Sequence, residues 1–399
     1  METWKKNLYV IWVAQFLAMV GMSMVVPFLP FYIRDLGVTD QRELEKWSGL
    51  IFAGPFVLSF FLTPVWGALG DKYGKKKMVV RAIIGLALSQ FLIGISGNVY
   101  ELLIFRLVQG AASGFIASSL ALVSSGSPEE KSGYSIGLLQ TSISSGTILG
   151  PMLGGFFSDM TSHRAVFFIT ASLCLVSAVF TIFFVTEPEK QIHHKNVPSV
   201  ADNIKYSFSN FTLSRALISI AVVQMSIAVT QPIFALFIES MTENKQYLST
   251  IAGSLFGITG VATAISSPWW GKRNDKKSLN KNLFFAMSGA SAALILHVVI
   301  SGAVFLFPVR LLLGFCIGGI IPAFYTLINK NVSPERKSGV MGIASSFTIL
   351  GNMLGPLFCS LLTYFMDIRY VFLIAGIMLL INTAFIKMKK LNPEKAGNI

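Results

Sequence analysis

Apolar stretches that contain no Asp, Glu, Lys or Arg follow one another along almost the whole chain of 399 residues. Each is close to the roughly 20 residues that an α-helix needs to cross the hydrocarbon core of a bilayer. In lipid the backbone N–H and C=O groups must be satisfied within each segment, so these runs predict helices rather than strands. The pattern therefore predicts an all-α membrane protein with twelve transmembrane helices. The runs are 7–33, 47–70, 82–100, 107–128, 132–158, 165–186, 216–238, 246–271, 282–309, 311–329, 338–366 and 370–386.

Composition and charge agree with this pattern. The chain is 53% hydrophobic and 13% charged, whereas soluble domains carry about 25% charged residues. Its net charge of +13 divides into +14 on the side of the N-terminus, −3 on the other side, and +2 from Arg106 and Arg310 within the spans. The positive-inside rule then predicts a multi-pass protein with both termini in the cytoplasm. The excess of basic residues therefore indicates the membrane topology, and no nucleic-acid partner is expected.

The longest connection between runs, at 187–211, divides the chain into two sets of six spans. We expect an N-terminal six-helix bundle at 1–186, a cytoplasmic linker at 187–211 and a C-terminal six-helix bundle at 212–399. The two sets repeat each other in sequence. At a shift of 204 positions the matching pairs are Trp66/Trp270, Gly67/Gly271, Asp71/Asp275, Arg106/Arg310 and Gly110/Gly314. At a shift of 205 positions they are Gly146/Gly351, Gly150/Gly355 and Pro151/Pro356.

Such a parallel duplication predicts two pseudo-symmetric halves related by an axis along the membrane normal. The substrate site of a protein built in this way is expected between the halves, near the middle of the bilayer. This construction suits rocking between two access states.

The turn between the second and third spans runs from Gly67 to Lys77 and contains Asp71 and Gly74. Glycines permit close backbone approach, and Asp71 can pair with a cation or with a helix N-terminus. A merely basic loop would explain the lysines but not the spacing of the glycines and the aspartate. We therefore predict that Gly67, Asp71, Gly74 and the repeated Asp275 act in conformational coupling.

Arg106 and Arg310 are the only charged residues well inside the predicted spans. An arginine there costs on the order of 2.5–3.5 kcal/mol, so it faces the bundle interior or a water-filled cavity. Arg106 can either clamp backbone carbonyls of a neighbouring span or act in coupling or ligand binding, and the sequence favours neither reading. Gly110 accompanies Arg106 one turn further along.

The fifth span contains small residues at a spacing that permits close helix packing, together with a proline. The isolated GxxxG spacing is common in membrane bundles, but the full string is more specific. It comprises Gly146, Gly150, Pro151, Gly154 and Gly155.

These three strings resemble the signature motifs of the major facilitator superfamily. Arg106-Leu107-Val108-Gln109-Gly110 is similar to its fourth-span motif, and the glycine-proline string is similar to its fifth-span antiporter motif. The first span carries Pro27 and Pro30, similar to a further motif of the twelve-span drug/proton antiporter branch. The resemblance covers the whole chain and is nearest to TetA-like and MdtG-like exporters. It implies proton-driven export by alternating access, with gating prolines and with glycines that control helix bending.

The chain departs from this branch in one respect, because none of its spans contains an acidic residue in its interior. The candidates for the coupled proton are therefore Asp35 and Glu239 at the outer ends of the first and seventh spans, and His297 in the ninth. The unperturbed pKa of histidine is near 6.5, which suits the binding and release of a proton. A single histidine on an apolar helix is more often a packing residue.

Candidate substrate contacts lie on two stripes with helical spacing. Gln15, Met19 and Met22 share one face of the first span, and Gln224 and Gln231 share one face of the seventh. Flexible methionines with sparse hydrogen-bonding groups suit an adaptable pocket for amphipathic molecules. Ordinary interhelical packing explains each residue equally well when it is taken alone.

We expect a multidrug-type secondary transporter of small amphipathic compounds in a bacterial cytoplasmic membrane, acting as a monomer in exchange for protons. A dedicated exporter of one metabolite, such as an anionic siderophore, is the alternative, with Arg106 and Arg310 as counter-ions. No enzyme is expected, because the sequence offers no metal cluster and no nucleophile–base pair. We expect no cofactor other than the proton gradient.

Overall fold

The computed structural model describes residues 2–187, 199–243, 245–276, 278–333 and 336–387. Within these ranges the chain forms helices and no strand. Before the longest connection lie α1 (Thr3–Met24), α2 (Leu29–Asp35), α3 (Gln41–Tyr73), α4 (Lys75–Ile95), α5 (Val99–Ala111), α6 (Phe115–Gly126), α7 (Ser132–Met160) and α8 (His163–Phe184). The connection contains α9 (Val200–Ser209). After it lie α10 (Phe211–Ala228), α11 (Phe234–Glu239), α12 (Leu248–Lys276), α13 (Leu279–Leu296), α14 (Leu306–Lys330), α15 (Lys337–Phe365) and α16 (Ile368–Lys387).

These helices supply the twelve passes predicted from the charge-free runs. Ten described segments are long and apolar enough to cross a membrane by length and composition. The two others are α7, which is rich in Gly, Ser and Thr, and α13, whose first turn carries Asn280, Lys281 and Asn282. The prediction of an all-α protein with twelve membrane helices is confirmed.

The first predicted span differs from a single helix, because it is broken into α1 and α2. Pro27 lies in the break, and Pro30 lies in the first turn of α2. Proline has no N–H to donate and fits only the first turn of a helix, so the chain bends here. The fourth pass is also broken, at Gly114, which has a φ of 100°.

Equivalent contacts recur in the two repeats. In the first repeat the indole Nε1 of Trp66 donates to the carbonyl oxygen of Ala111 at 2.9 Å. In the second repeat Trp270 donates to the carbonyl oxygen of Phe315 at 2.8 Å. Both partners are displaced by the same 204 positions. At these positions the duplication seen in the sequence is therefore also the duplication of a tertiary contact.

The described residues form two compact units. One lies within Met1–His193 and Ile233–Gly257, and the other within His194–Pro232 and Ile258–Ile399. The core of the first unit is built by α1, α4, α6, α7 and α8, whose buried side chains include Ile11, Ile83 and Leu139. Residues 233–257 group with this unit because the first turns of α12 pack on α7. The proposed division into bundles 1–186 and 212–399 stays a prediction.

Candidate functional site

The turn between α3 and α4 is shaped by Gly74, whose φ of 108° favours glycine. The carboxylate of Glu187 accepts the backbone N–H groups of Lys75 and Lys76, each at 2.8 Å. It thus caps the N-terminus of α4, where the helix dipole favours negative charge. Sequence analysis missed Glu187, although an acidic residue directly after the sixth apolar run was a visible signal.

The other predicted residues of this turn have fewer contacts. A Cβ atom at Gly67 or at Gly271 would meet nothing within 4 Å. The side chains of Asp71 and Asp275 lie outside the described part of the chain, so their role in coupling stays a prediction. Beside the turn, the guanidinium of Arg81 lies 3.6 Å from the ring centroid of Trp66 and donates to the carbonyl oxygen of Ser113 at 2.7 Å.

We expect the substitution Glu187→Ala to loosen the first turn of α4, because it removes both acceptors from the cap. Hydrogen exchange followed by mass spectrometry should show several-fold faster exchange of the amides of Lys75 and Lys76. The substitution Glu130→Ala removes an equal charge from another connection and serves as the control. Unchanged exchange in Glu187→Ala would remove the cap from our description of this turn.

Arg106 is buried in α5, with 8% of its surface exposed. Its Nη1 donates to the Oε1 atom of Gln109 at 3.1 Å, and its Nε has no hydrogen-bond partner among the described residues. A buried donor without a partner costs about 1–3 kcal/mol. Arg106 therefore has unused hydrogen-bonding capacity. In the second repeat Arg310 is also buried.

Gly110 and Gly314 are held at equivalent close contacts. A Cβ atom at Gly110 would overlap the carbonyl oxygen of Pro55 in α3, and one at Gly314 would overlap the carbonyl oxygen of Thr259 in α12. Backbone atoms cannot move aside as a flexible side chain can. These glycines allow α5 to approach α3, and α14 to approach α12.

The glycines of the antiporter motif face two different helices. Gly146, Gly150 and Gly154 lie against α1, where a Cβ atom at Gly154 would overlap the backbone of Met24. Gly155 instead lies against α12, where a Cβ atom would overlap the carbonyl oxygen of Ser249. Pro151 contributes to the same contact, because its carbonyl oxygen occupies the space beside Gly253. The motif therefore packs α7 against both α1 and α12.

Charged groups cluster where α2, α7 and α11 end. Arg34 donates from Nη1 and Nη2 to the two carboxylate oxygens of Glu239, at 2.8 and 2.7 Å. Such bidentate pairs are geometrically specific and stronger than neutral hydrogen bonds. Asp35 is hydrogen-bonded to the Nδ1 atom of His163. Of the two predicted proton sites at this end, Glu239 is therefore held in an ion pair and Asp35 in a hydrogen bond with a histidine, and sequence analysis identified neither partner.

A further carboxylate at this end binds the start of α12. The Oδ2 atom of Asp159, near the end of α7, accepts the backbone N–H of Thr250 and its hydroxyl, both at 2.7 Å. This caps a helix N-terminus with a negative charge, which is stabilising. It reinforces the contact that Gly155 makes with the same helix.

The third proton candidate, His297, has the surroundings of a packing residue. It directly follows α13 and is completely buried. Its ring stacks on Phe372 with the centroids 4.9 Å apart, and its Nδ1 donates to the carbonyl oxygen of Ala293 at 2.8 Å. These contacts hold the ring between its own helix and α16.

The candidate substrate residues are placed differently from one another. Gln15 is completely buried, and neither atom of its amide has a hydrogen-bond partner among the described residues. Met19 and Gln224 occupy equivalent positions. The Cβ of Met19 lies 2.6 Å from where a Cβ atom on Gly146 would be, and the Cβ of Gln224 lies 2.6 Å from where one on Gly351 would be. Met22 and Gln231 are partly buried. Sequence analysis missed Gln90 in α4, which is as buried and as unpartnered as Gln15.

Comparisons with known proteins agree with this geometry. The family model described as Major Facilitator Superfamily matches residues 11–305 and 216–398. The chain is 31% identical to the multidrug resistance protein MdtG of Proteus mirabilis, covering 99% of this chain and 98% of that protein. It is 33% identical to MdtG of a Rahnella species, covering 96% of this chain and 93% of that protein.

Solved structures show the same fold at lower identity. The nucleoside transporter NupG, in a variant form, matches with a TM-score of 0.80 and 14% identity, over 95% of this chain and 98% of that one. A bacterial homologue of the human lysosomal transporter Spinster matches with a TM-score of 0.76 and 14% identity, over 97% and 96%. Together with the repeated contacts and the twelve passes, these similarities establish that the chain belongs to the major facilitator superfamily of membrane transporters and is not an enzyme.

Proposed function

We propose that the chain is a secondary transporter that exports small amphipathic compounds across a bacterial cytoplasmic membrane by alternating access, in exchange for protons. The observation that carries this proposal is the similarity over nearly the whole chain to proteins named for multidrug resistance. Fold alone would not carry it, because one fold hosts many functions. Both termini are then in the cytoplasm, and the chain acts as a monomer with no nucleic-acid partner.

The residues on α1 support substrate contacts of mixed character. The buried amide of Gln15 can donate two hydrogen bonds and accept others, and none is made to the described residues. Met22 offers a flexible apolar surface near it in sequence. A site with few polar groups on an apolar lining accepts amphipathic molecules of different shapes. We propose Gln15, Met19 and Met22 of the first unit as substrate contacts, and likewise Gln224 and Gln231 of the second unit.

The polar contacts at the ends of α2 and α11 support Asp35 and Glu239 as proton sites in preference to His297. A carboxylate that gains a proton loses its charge and with it the ion pair, so protonation can be linked to the opening of helix contacts. His297 is confined by Phe372 and by its own helix. We therefore propose that Glu239 with Arg34, and Asp35 with His163, link proton uptake to conformational change.

Reconstitution into proteoliposomes tests the coupling. We expect an imposed pH gradient to drive uphill movement of a fluorescent lipophilic cation while valinomycin and potassium clamp the membrane potential. Collapsing the gradient with nigericin should abolish that movement. Transport that ignores the pH gradient would contradict proton exchange and would indicate uniport or another coupling ion.

The dedicated exporter of an anionic siderophore is less favoured, since the similar proteins are named for multidrug resistance. A thermal-shift screen over ligands of different charge separates the two functions. We expect several lipophilic cations and neutral compounds to raise the melting temperature. Stabilisation by a single anionic chelator alone would favour the alternative, with Arg106 and Arg310 as counter-ions.

We expect the substitution Asp71→Asn to slow transport several-fold while leaving ligand binding largely intact. The proposed role of Asp71 is to hold one access state through its charge, and the amide keeps its shape without that charge. Transport in proteoliposomes and equilibrium binding in detergent measure the two effects separately. The charge-preserving Asp71→Glu is the control, and unchanged transport in Asp71→Asn would remove Asp71 from the coupling mechanism.

A further inference from the structure

The connection between the two repeats contains a regular helix, α9, which starts with a capping box. The hydroxyl of Ser199 accepts the backbone N–H of Asp202, and the carboxylate of Asp202 accepts the backbone N–H of Ser199. The hydroxyl of Ser199 also donates to this carboxylate, and these bonds lower the pKa of Asp202. Two otherwise unsatisfied donors are thereby bonded, so the helix has a defined start.

The two faces of α9 are reversed relative to those of an ordinary surface helix. Its fully buried side chains are polar, namely Asn203 and Ser207. Its apolar side chains point away from the protein, since Val200 is 73% exposed, Ile204 43% and Phe208 49%. These three residues are spaced four apart and therefore share one helix face. A helix in water would be expected to bury this face instead.

The polar face holds α9 on the second unit. Asn203 lies directly over Gly339 at the start of α15, where a Cβ atom would overlap its amide. The guanidinium of Arg336 lies 4.9 Å from the ring centroid of Tyr206. The ring of Phe208 lies beside that of Phe347, tilted by 49° and with the centroids 6.2 Å apart. The direction of the apolar face is set by these contacts.

Only Asn210 separates α9 from the membrane-spanning helix α10. Phe211 at the start of α10 is 58% exposed, and Ile218, two turns further along, is 42% exposed. Since α10 crosses the bilayer, its first residues and the α9 helix just before them lie at the membrane surface. On the other edge of α9, Lys205 and Ser209 are exposed and polar. The helix therefore has one side for the protein, one for an apolar phase and one for water.

We propose that α9 is an interfacial helix that lies in the headgroup–acyl boundary of the leaflet nearest the start of α10, with Val200, Ile204 and Phe208 inserted among the lipids. An amphipathic helix with an apolar face and a charged edge takes this position at a membrane surface. The ammonium of Lys205 then reaches the phosphate groups. The helix ties the start of α15, through Asn203 and Arg336, to the membrane surface. This inference does not depend on the identity of the transported compound.

Site-directed fluorescence in lipid nanodiscs tests the proposal on the full chain. Four single substitutions, Ile204→Cys, Phe208→Cys, Lys205→Cys and Ser209→Cys, are labelled with bimane. The native cysteines are buried at 0%, 5% and 0% exposure for Cys174, Cys316 and Cys359, and the unsubstituted chain measures their background labelling. Each labelled variant is titrated with iodide in the aqueous phase and, separately, prepared with phosphatidylcholine that carries a doxyl group near the headgroup.

We expect the doxyl lipid to quench positions 204 and 208 several-fold more strongly than positions 205 and 209, and iodide to show the reverse order. Equal access of iodide to all four positions would place α9 in water and overturn the proposal. Protection of positions 204 and 208 from both quenchers would also overturn it, because a protein segment would then cover the apolar face. Substitutions at exposed positions leave the fold intact, so either result can be interpreted.

Discussion

The substitution Gly154→Ala is expected to destabilise the folded chain strongly and to abolish its transport. The added methyl group would overlap the carbonyl oxygen, carbonyl carbon and Cα of Met24 in α1. Because the obstacle is backbone, no rotamer change relieves the clash, and α7 must move away from α1. Overpacking of this kind typically costs about 1–3 kcal/mol, and the upper end applies here because the contacts of Gly146 and Gly150 with α1 are lost together.

The same helix offers a matched control. A Cβ atom at Gly137, also in α7, would meet nothing within 4 Å. Gly137→Ala therefore changes only the backbone preference, which favours alanine in a helix by about 1 kcal/mol. Melting temperatures in detergent and transport in proteoliposomes should separate the two variants clearly. If Gly154→Ala melts and transports like Gly137→Ala, the close packing of α7 on α1 is not what the motif provides.

The second large effect is expected from Arg34→Glu, which places two like charges where the bidentate pair with Glu239 now lies. Glu239 is only 11% exposed in its side chain and Arg34 35%. Breaking a buried pair costs about 3–5 kcal/mol and breaking a surface pair about 0–1 kcal/mol. We expect an intermediate loss of about 2 kcal/mol in unfolding free energy, together with a large loss of transport.

Charge exchange distinguishes the pair from its individual residues. The double variant with Arg34→Glu and Glu239→Arg should regain much of the lost stability, because the bidentate geometry can form in the opposite sense. Lys245→Gln is the matched control, since its ammonium lies 3.6 Å from the same carboxylate while its side chain is 72% exposed. Failure of the exchange to restore stability, or an equal loss in Lys245→Gln, would show that the pair is not the stabilising element.

The double variant also tests the proposed role of Glu239 in proton coupling. If the carboxylate must take up the proton at position 239 itself, the exchanged chain should fold but transport poorly. If only the pair matters, transport should return with stability. The comparison therefore separates a structural ion pair from a proton-linked one.

The sequence contains a signal for this ion pair. Arg34 and Glu239 are separated by 205 positions, which is the shift that relates the two repeats near the first and seventh spans. Opposite charges at repeat-equivalent positions are visible without a structure. Whether the two side chains meet still depends on the approach of α2 and α11, which no local pattern reports.

Helix α9 shows the opposite situation. Its capping box, Ser199 and Asp202, and the spacing of Val200, Ile204 and Phe208 predict a short amphipathic helix within the connection that we expected to contain only a linker. The spacing alone would have placed the apolar face against the protein, as in ordinary helices. Only the contacts of Asn203 and Arg336 reverse that orientation.

By itself the sequence determined the number of membrane passes, the all-helical class, the duplication and the positions of the close-packing glycines. These properties are local or periodic. In lipid each span must form its backbone hydrogen bonds within itself, and a repeat is found by comparing one part of the chain with another. The tertiary structure alone decided the partners of Asp35, Asp159 and Glu187, whether Glu239 meets Arg34, and the direction of α9. Each of these depends on side chains and helix ends that distant segments bring together, and a pairing across 100 or 200 residues leaves no pattern in the neighbouring sequence.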